Sequence, residues 1–171
     1  MLGMKRYSQE YIDECRSRVE SGASAYRQLI AAARKHPSDD ALSSAIEELE
    51  AAFFNTMLLT LDYFFVHRLA GIEGKDGNPL NEVRILCNSM LLNQNIMSTV
   101  YPKPHASALG DKSMKLSPEK SILKHQFGDE IKLTEADFSR ISEAFFEEME
   151  RKFAVVDSRH SNSSTALQSG V

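Results

Sequence analysis

The strongest constraint on the fold is residues 52–66, which read AFFNTMLLTLDYFFV. In a helix this segment would be apolar on nearly every side, because only Asn55, Asp62 and two threonines interrupt its hydrophobic residues. A helix of this kind is stable in water only when other elements cover it. A membrane span needs about 20 mostly apolar residues, and this run is shorter and contains a carboxylate. The segment therefore predicts a buried core helix that other helices enclose.

Length and composition indicate one globular domain. The chain has 171 residues, of which 42% are hydrophobic and 26% are charged, and this composition excludes wholesale disorder. The net charge of -4 disfavours a general nucleic-acid binder, since phosphate binding needs a clustered basic surface. Residues 1–155 are predicted to form a single helical-bundle domain. Residues 156–171 have few groups to bury and are predicted to be a disordered tail.

The cysteines, the histidines and the N-terminus restrict the class of protein further. Cys15 and Cys87 are far apart, a spacing typical of neither a disulfide framework nor a zinc site, and the histidines are scattered. The first residues, MLGMKRYSQEY, lack the apolar core of a signal peptide. We therefore expect a soluble, cytoplasmic protein that has no metal, no cofactor and no membrane contact.

The first predicted helix runs from the N-cap Ser8 to about Lys35. Its apolar positions alternate strictly at three and four residues: Ile12, Cys15, Val19, Gly22, Tyr26, Leu29 and Ala33. This spacing predicts a narrow seam of the coiled-coil kind, and Gly22 within it would let a neighbouring helix approach closely.

The second and third predicted helices form an antiparallel hairpin. The second covers residues 39–70 and includes the apolar segment. At about 1.5 Å per residue it would span nearly 50 Å, so partner helices or a second subunit must cover it. The connection GIEGKDGNP has turn chemistry, and Asn78 followed by Pro79 starts the third helix, which is predicted to reach about Val100.

The fold class predicted from these features is mainly α, a four-helix bundle with a long central second helix. Between the third and fourth helices, residues 113–116 and 130–133 are candidate strands of an extended or β-ribbon insertion. Thr134 and Asp137 form a capping box at the start of the fourth helix. The buried stripe of that helix is predicted to contain Phe138, Ile141, Phe145, Met149 and Phe153.

The densest group of functional side chains lies in HRLAGIEGKDGNPLNEVR, residues 67–84. Antiparallel pairing would gather five candidate catalytic residues and two candidate binding residues there: His67, Asp62, Arg68, Glu82 and Arg84, and Tyr63 and Asn88. A functional interpretation is a polar pocket in which His67 carries a proton or binds a ligand, held by Asp62 or Glu82. A structural interpretation is that these groups satisfy one another and the turn, with Glu82 paired to Arg68 or Arg84. The sequence favours the second, because it contains pairing partners but indicates no cavity.

A polar strip runs along the second predicted helix, because Glu48, Asn55 and Asp62 recur at seven residues. Such a strip can contact an arginine, specify the register between subunits, or bind a ligand. Pairing or register is the favoured interpretation. The sequence has no Glu-x-x-His pairs for a dimetal bundle, no phosphate loop and no Gly-x-Ser-x-Gly elbow.

Two segments, EGKDGNPLNEVRILCNSM and GDEIKLTEADFSRISEAFFEEMERKF, resemble a group of uncharacterised bacterial proteins. The resemblance covers roughly residues 53–153. It implies no activity and assigns no role to any residue.

Three functions are compatible with the sequence. The favoured one is a binding or protein-interaction module. It is expected to form a homo-oligomer through the first or second helix, or to bind another protein. The alternative is a small hydrolytic or nucleolytic enzyme using His67 with Asp62, Arg68 or Arg84. A nucleic-acid regulator is possible but not favoured; it would use basic residues of the first helix or of residues 103–124, namely Arg16, Arg27, Arg34 and Lys35 or the lysines of that loop.

Overall fold

The computed structural model describes residues 3–35, 39–99, 116 and 121–155. Over these residues the protein is mainly helical, as predicted. The helices are α1 (Gln9–Ala33), α2 (Asp40–Phe64), α3 (Ala70–Glu73), α4 (Pro79–Leu92) and α5 (Glu135–Phe153). None of them combines the length and the hydropathy that crossing a bilayer requires.

The apolar segment is at the centre of the packing. Helix α2 contacts α1, α4 and α5, and α5 contacts α1 and α4. The inward face of α2 has no exposed surface at Phe54, Leu58 or Leu61, and Phe65, directly after the helix, has none either. The expected stripe of α5 is buried at every predicted position, and Phe146 is buried beside it. The prediction that other helices cover residues 52–66 is therefore confirmed for one face of α2.

Helix α1 follows a different period from the predicted one. Its buried residues are Ile12, Cys15, Val19, Ala23, Tyr26 and Ile30, whereas Leu29 is 55% exposed. These positions recur at about 3.6 residues, the repeat of a straight helix, and not at 3.5. Gly22 faces α2 as expected: a Cβ there would lie 2.8 Å from Cε of Met57.

Helix α2 is shorter than predicted. It ends at Phe64, and residues 65–69 leave the helical path before α3 begins. The N-terminal segment pairs with this stretch, since Met4 N–H donates to His67 O at 2.7 Å and Leu69 N–H donates to Met4 O at 2.9 Å. The prediction of one helix over residues 39–70 is wrong because these tertiary contacts, which the hydrophobic pattern does not show, turn the chain.

Helix α4 and the insertion also differ from the sequence prediction. Helix α4 stops at Leu92, well before Val100, and the left-handed residues Gln94 (φ 54) and Asn95 (φ 64) reverse the chain. Of the candidate strands, residues 113–115 lie outside the described residues. Residues 130–133 form no named strand: within the part of the chain that the structure describes, their β-pairing is an isolated antiparallel bridge from Glu130 to Ile96.

The predicted helix starts are confirmed. Ser8 Oγ accepts a hydrogen bond from Tyr11 N–H, and Asn78 Oδ1 accepts from Leu80 N–H, with Pro79 opening α4. Thr134 and Asp137 form both bonds of the capping box at α5. These signals are local, since each involves residues within one helical turn.

Candidate functional site

Three of the candidate residues, Asp62, Arg68 and Arg84, lie together where α2 ends and α4 begins, and Glu73 of α3 is at their centre. Its carboxylate is 3% exposed and accepts hydrogen bonds from two arginines. Arg84 donates through Nε at 3.0 Å and Nη2 at 2.5 Å, one bond to each carboxylate oxygen, and Arg68 donates through Nε at 3.1 Å. Bidentate contacts between arginine and carboxylate are among the strongest in proteins. We call Asp62, Arg68, Glu73, Asn81 and Arg84 the junction cluster.

Arg68 is the fully buried cation of the junction cluster. Its remaining donors reach the carbonyl oxygens of Phe65 at 3.1 Å and Leu80 at 3.4 Å. Its Nη2 also lies 2.8 Å from Oδ1 of Asp62. That contact is not aligned as a hydrogen bond, and Oδ1 has no hydrogen-bond partner among the described residues. Asp62 therefore contributes charge, whereas Glu73 contributes both charge and directed bonds.

Amide side chains complete the junction cluster. Asn81 Nδ2 donates to Oε1 of Glu73 at 3.3 Å and to Gly74 O at 3.0 Å. Gly74 has a φ of 76°, a left-handed conformation that favours glycine. From α5, Lys152 Nζ donates to the backbone oxygen of Glu73 at 2.6 Å. The connection between α2 and α4 is thereby attached to α5.

Burial shapes the electrostatics of the same region. It lowers the pKa of Arg84, but the hydrogen bonds and the charge of Glu73 outweigh that effect, so the pKa of Arg84 is raised. Burial raises the pKa of the Cys87 thiol well above its ordinary value, and the charge of Asp62 adds to the effect. Cys87 is therefore a neutral thiol, and it donates to Leu58 O at 3.6 Å.

Glu82 lies in a separate site. Its carboxylate accepts from Ser121 Oγ–H at 2.7 Å and from the N–H groups of Ile122 at 2.7 Å and Leu123 at 3.0 Å. The prediction that Glu82 pairs with Arg68 or Arg84 is wrong, because Glu73 takes both arginines. Glu82 instead caps the backbone of a segment that arrives about forty residues later.

His67, Tyr63 and Asn88 are also outside the junction cluster. The His67 side chain is exposed, and neither Asp62 nor Glu82 holds it. Tyr63 is 74% exposed on the outer side of α2, whereas Asn88 is buried in α4. The structure thus brings Asp62, Arg68 and Arg84 together, and it places His67, Glu82, Tyr63 and Asn88 elsewhere.

Glu73 is the residue that the sequence analysis did not select. It lies within the quoted segment, between two glycines and close to Arg68 and Arg84. Two arginines beside an apolar helix need a counter-charge when they are buried. That requirement is the signal that could have identified Glu73.

The polar strip of α2 has two different partners. Asn55 bonds the extended segment before α5: its Nδ2 donates to Ile131 O at 2.9 Å, and its Oδ1 accepts from Leu133 N–H at 3.2 Å. Asp62 contacts Arg68, and Glu48 is exposed. Asn55 therefore holds residues 131–133 with one donated and one accepted backbone bond, as a neighbouring β-strand would.

The outward side of α2 is a second candidate site. We call six exposed residues the α2 outer face: Ala45, Leu49, Ala52, Thr56, Thr60 and Tyr63. None is charged, and Leu49 and Tyr63 are 41% and 74% exposed. The threonine hydroxyls donate to Ala52 O at 2.8 Å and Thr56 O at 3.0 Å, so they need no bond from water. The α2 outer face is therefore an uncharged surface whose threonine hydroxyls already bond the backbone of their own helix.

Comparison with known proteins assigns no function to either site. No family model matches the sequence, and neither a curated protein nor a solved structure matches the chain. The function must therefore be inferred from the contacts and surfaces of the molecule itself.

The charged side chains of the junction cluster pair with one another and with the nearby backbone, which is the arrangement of a structural clamp. Among the described residues no group of three histidine, cysteine, aspartate or glutamate side chains could hold a metal ion. A groove of about 480 Å³ lies elsewhere, between α1 and α5. Arg16, which lines this groove, pairs with Glu150 at 2.6 Å, and Arg27, further along α1, pairs with Glu135 at 2.9 Å.

Proposed function

We propose that the chain is a cytoplasmic protein-interaction module that self-associates through the α2 outer face. In this proposal α1, α2, α4 and α5 form a four-helix bundle, and the junction cluster is a clamp that fixes the connection between α2 and α4. The single observation that carries the proposal is the uncharged, exposed face of α2, which extends over about five helical turns.

The lack of charge on the α2 outer face is unusual for the solvent-facing side of a helix. Surface helices of globular proteins normally present charged residues on the side away from the core. Between Glu50 and Asp62, α2 has no charged side chain at all. By contrast, the outward side of α5 presents Glu143, Glu147 and Arg151. Contiguous exposed apolar surface on one element marks an interaction site.

The large side chains of this face suit a protein partner. Tyrosine is enriched at protein interfaces because it adds apolar area and a polar tip at low entropic cost. Tyr63 is near further exposed apolar surface at the end of α2, since Val66 is 43% exposed and Tyr11 Oη–H donates to Phe64 O. Met4 is 47% exposed, and its N–H donates to His67 O, just beyond the C-terminal end of α2.

The test is the oligomeric state of the full chain, measured by light scattering and sedimentation up to a concentration on the order of 100 µM. We expect a dimer whose dissociation constant rises at least tenfold in the double variant Leu49→Lys with Tyr63→Lys. Leu29→Lys on α1 is the matched control, because Leu29 is exposed but lies outside the α2 outer face. A clean monomer over the whole range would contradict the proposal.

A further inference from the structure

We propose that the groove between α1 and α5 binds a linear aliphatic polyamine. Its volume of about 480 Å³ is within the range of small-molecule sites in proteins. The inference goes beyond self-association and does not depend on it, because no residue of α2 lines the groove. It is drawn from the shape of the groove, from its unbalanced charge and from a buried hydroxyl that lines it.

Small and apolar side chains shape the middle of the groove. Ser17 of α1 and Ser139 and Ser142 of α5 line it, and the buried side chains of Val19 and Phe146 supply its apolar floor. An apolar floor suits a chain of methylene groups, since contact with carbon atoms removes them from water.

The two helices of the groove run antiparallel. Arg16 of α1 pairs with Glu150, near the end of α5, whereas Arg27 pairs with Glu135 at the start of α5. These two ion pairs join the helices on either side of the serines. The groove therefore has two ends, each next to an ion pair that is already formed.

Two carboxylates that line the groove, Asp13 and Glu143, pair with no cation among the described residues. Asp13 is one helical turn from Arg16, beside its ion pair with Glu150. Glu143 is seven residues before Glu150 and so lies about 10 Å away along α5, toward the other ion pair. The terminal ammonium groups of an extended polyamine such as spermidine are separated by a similar distance.

The charge of both helices favours a cationic ligand. Helices α1 and α5, which the structure describes in full, contain ten carboxylates and six basic side chains. Each basic side chain pairs with a carboxylate. Arg16 lines the groove, but Glu150 balances its charge and its guanidinium lies 4.6 Å from the centre of the Phe146 ring. Four exposed cations flank α1 without lining the groove: Lys5, Arg6, Arg34 and Lys35. The unbalanced charge of the groove is therefore negative, and it complements a polyamine.

A buried hydroxyl offers a polar contact between the two ends. Ser142 is 8% exposed and lines the groove. Its Oγ–H donates to Ser139 O at 3.1 Å, and its own oxygen accepts no hydrogen bond from the residues that the structure describes. The secondary ammonium of a polyamine lies between the terminal ones and is a donor for this oxygen.

Calorimetric titration of the intact chain with spermidine at low ionic strength tests the charge requirement. We expect one spermidine per chain with a dissociation constant on the order of 100 µM, raised at least tenfold by Asp13→Asn with Glu143→Gln. The matched control is Glu10→Gln with Glu147→Gln, which removes two charges from the same helices outside the groove. The control should change the constant less than about twofold. Equal weakening by both pairs would indicate general attraction to an acidic surface and overturn the proposal.

Filling the groove tests its shape without changing its charge. Ser139→Leu places a branched side chain in the groove at an exposed helical position, so the fold should be kept and the dissociation constant for spermidine should rise about tenfold. Ser139→Ala is the control and should bind as the original chain does. Unchanged binding by a folded Ser139→Leu chain would show that spermidine lies elsewhere.

The length of the ligand tests the two ends. Putrescine and diaminooctane have the same charge, but only diaminooctane is long enough to reach both Asp13 and Glu143. Diaminooctane should therefore bind at least about fivefold more tightly. Equal affinities would contradict a two-ended site. Absence of saturable spermidine binding would overturn the proposal and leave self-association through the α2 outer face unaffected.

Discussion

Glu73 and Glu82 are both buried carboxylates close to the start of α4, and they are stabilised in opposite ways. Glu73 binds two arginines, whereas the partners of Glu82 among the described residues are a hydroxyl and two backbone N–H groups. The relative exposure of the two residues is 2% and 1%, so burial does not explain the difference.

The two sites also connect different parts of the chain. Glu73 joins the end of α2 to α4, which only the short helix α3 and its flanking turns separate in sequence. Its arginines are themselves buried or half-buried. Glu82 holds residues 121–123, which follow a long connection. In the junction cluster, losing either Glu73 or one of its arginines leaves an opposite charge buried without its partner, which is costly. Losing Glu82 leaves only neutral donors without a partner, so the effect should be confined to residues 121–123.

The largest effect is expected at Glu73. Glu73→Gln leaves Arg68 buried with no directed carboxylate partner, and breaking a buried ion pair in this way costs about 3–5 kcal/mol. The measurement is urea unfolding followed by circular dichroism, with Glu143→Gln on the exposed side of α5 as the control. A loss below about 1 kcal/mol would mean that the junction does not depend on charge.

A smaller effect is expected at Glu82. Glu82→Gln keeps one acceptor but replaces the other with an NH2 group that cannot accept from a backbone N–H, which should cost about 1–3 kcal/mol. Hydrogen exchange should show faster exchange at Ile122 and Leu123, with α2 and α5 unaffected. Equal acceleration throughout the molecule would show that Glu82 supports the core and not only one segment.

Asn55 extends the comparison to a neutral side chain. Asn55→Ala leaves Ile131 O and Leu133 N–H without their partner, so we expect a loss of about 1–2 kcal/mol and faster exchange at Leu133. Ser44→Ala is the control, since Ser44 is exposed on the same helix and lies outside the α2 outer face. Unchanged exchange at Leu133 would show that Asn55 does not position this segment.

The smallest effect is expected at Asp137, a carboxylate at the surface. Burial raises its pKa, but hydrogen bonds from Thr134 and the charge of Arg140 outweigh burial, so the pKa is lowered. A lowered folded-state pKa gives stability that is present above the unfolded value, about 4, and is lost as the pH falls through the folded value.

Asp137→Asn should therefore lose about 1 kcal/mol at pH 7, because the capping box is weakened. The difference from the original chain should shrink as the pH falls below about 4. Urea midpoints at pH 7, 5 and 3.5 give this profile. Parallel curves for the two proteins over that range would refute the stabilising role of the ionised carboxylate.

The sequence by itself determined the helical class, the starts of α1, α4 and α5, and the burial of Phe54, Leu58 and Phe65. Caps and hydrophobic periodicity act over one or two turns, so they can be identified without knowing where the rest of the chain lies. The end of α2 and the period of α1 were not predictable in the same way, because neighbouring elements decide them.

Only the tertiary structure decided which polar groups meet. Glu73 is eleven residues from Arg84, and Glu82 is about forty from Ile122, and no local pattern specifies such partners. The outward position of Tyr63 is also a tertiary result, since residues 52–66 are apolar on several sides and packing chose which side to cover. Side-chain pairing and solvent exposure depend on the whole chain, whereas the start of a helix is marked by capping residues within its own first turn.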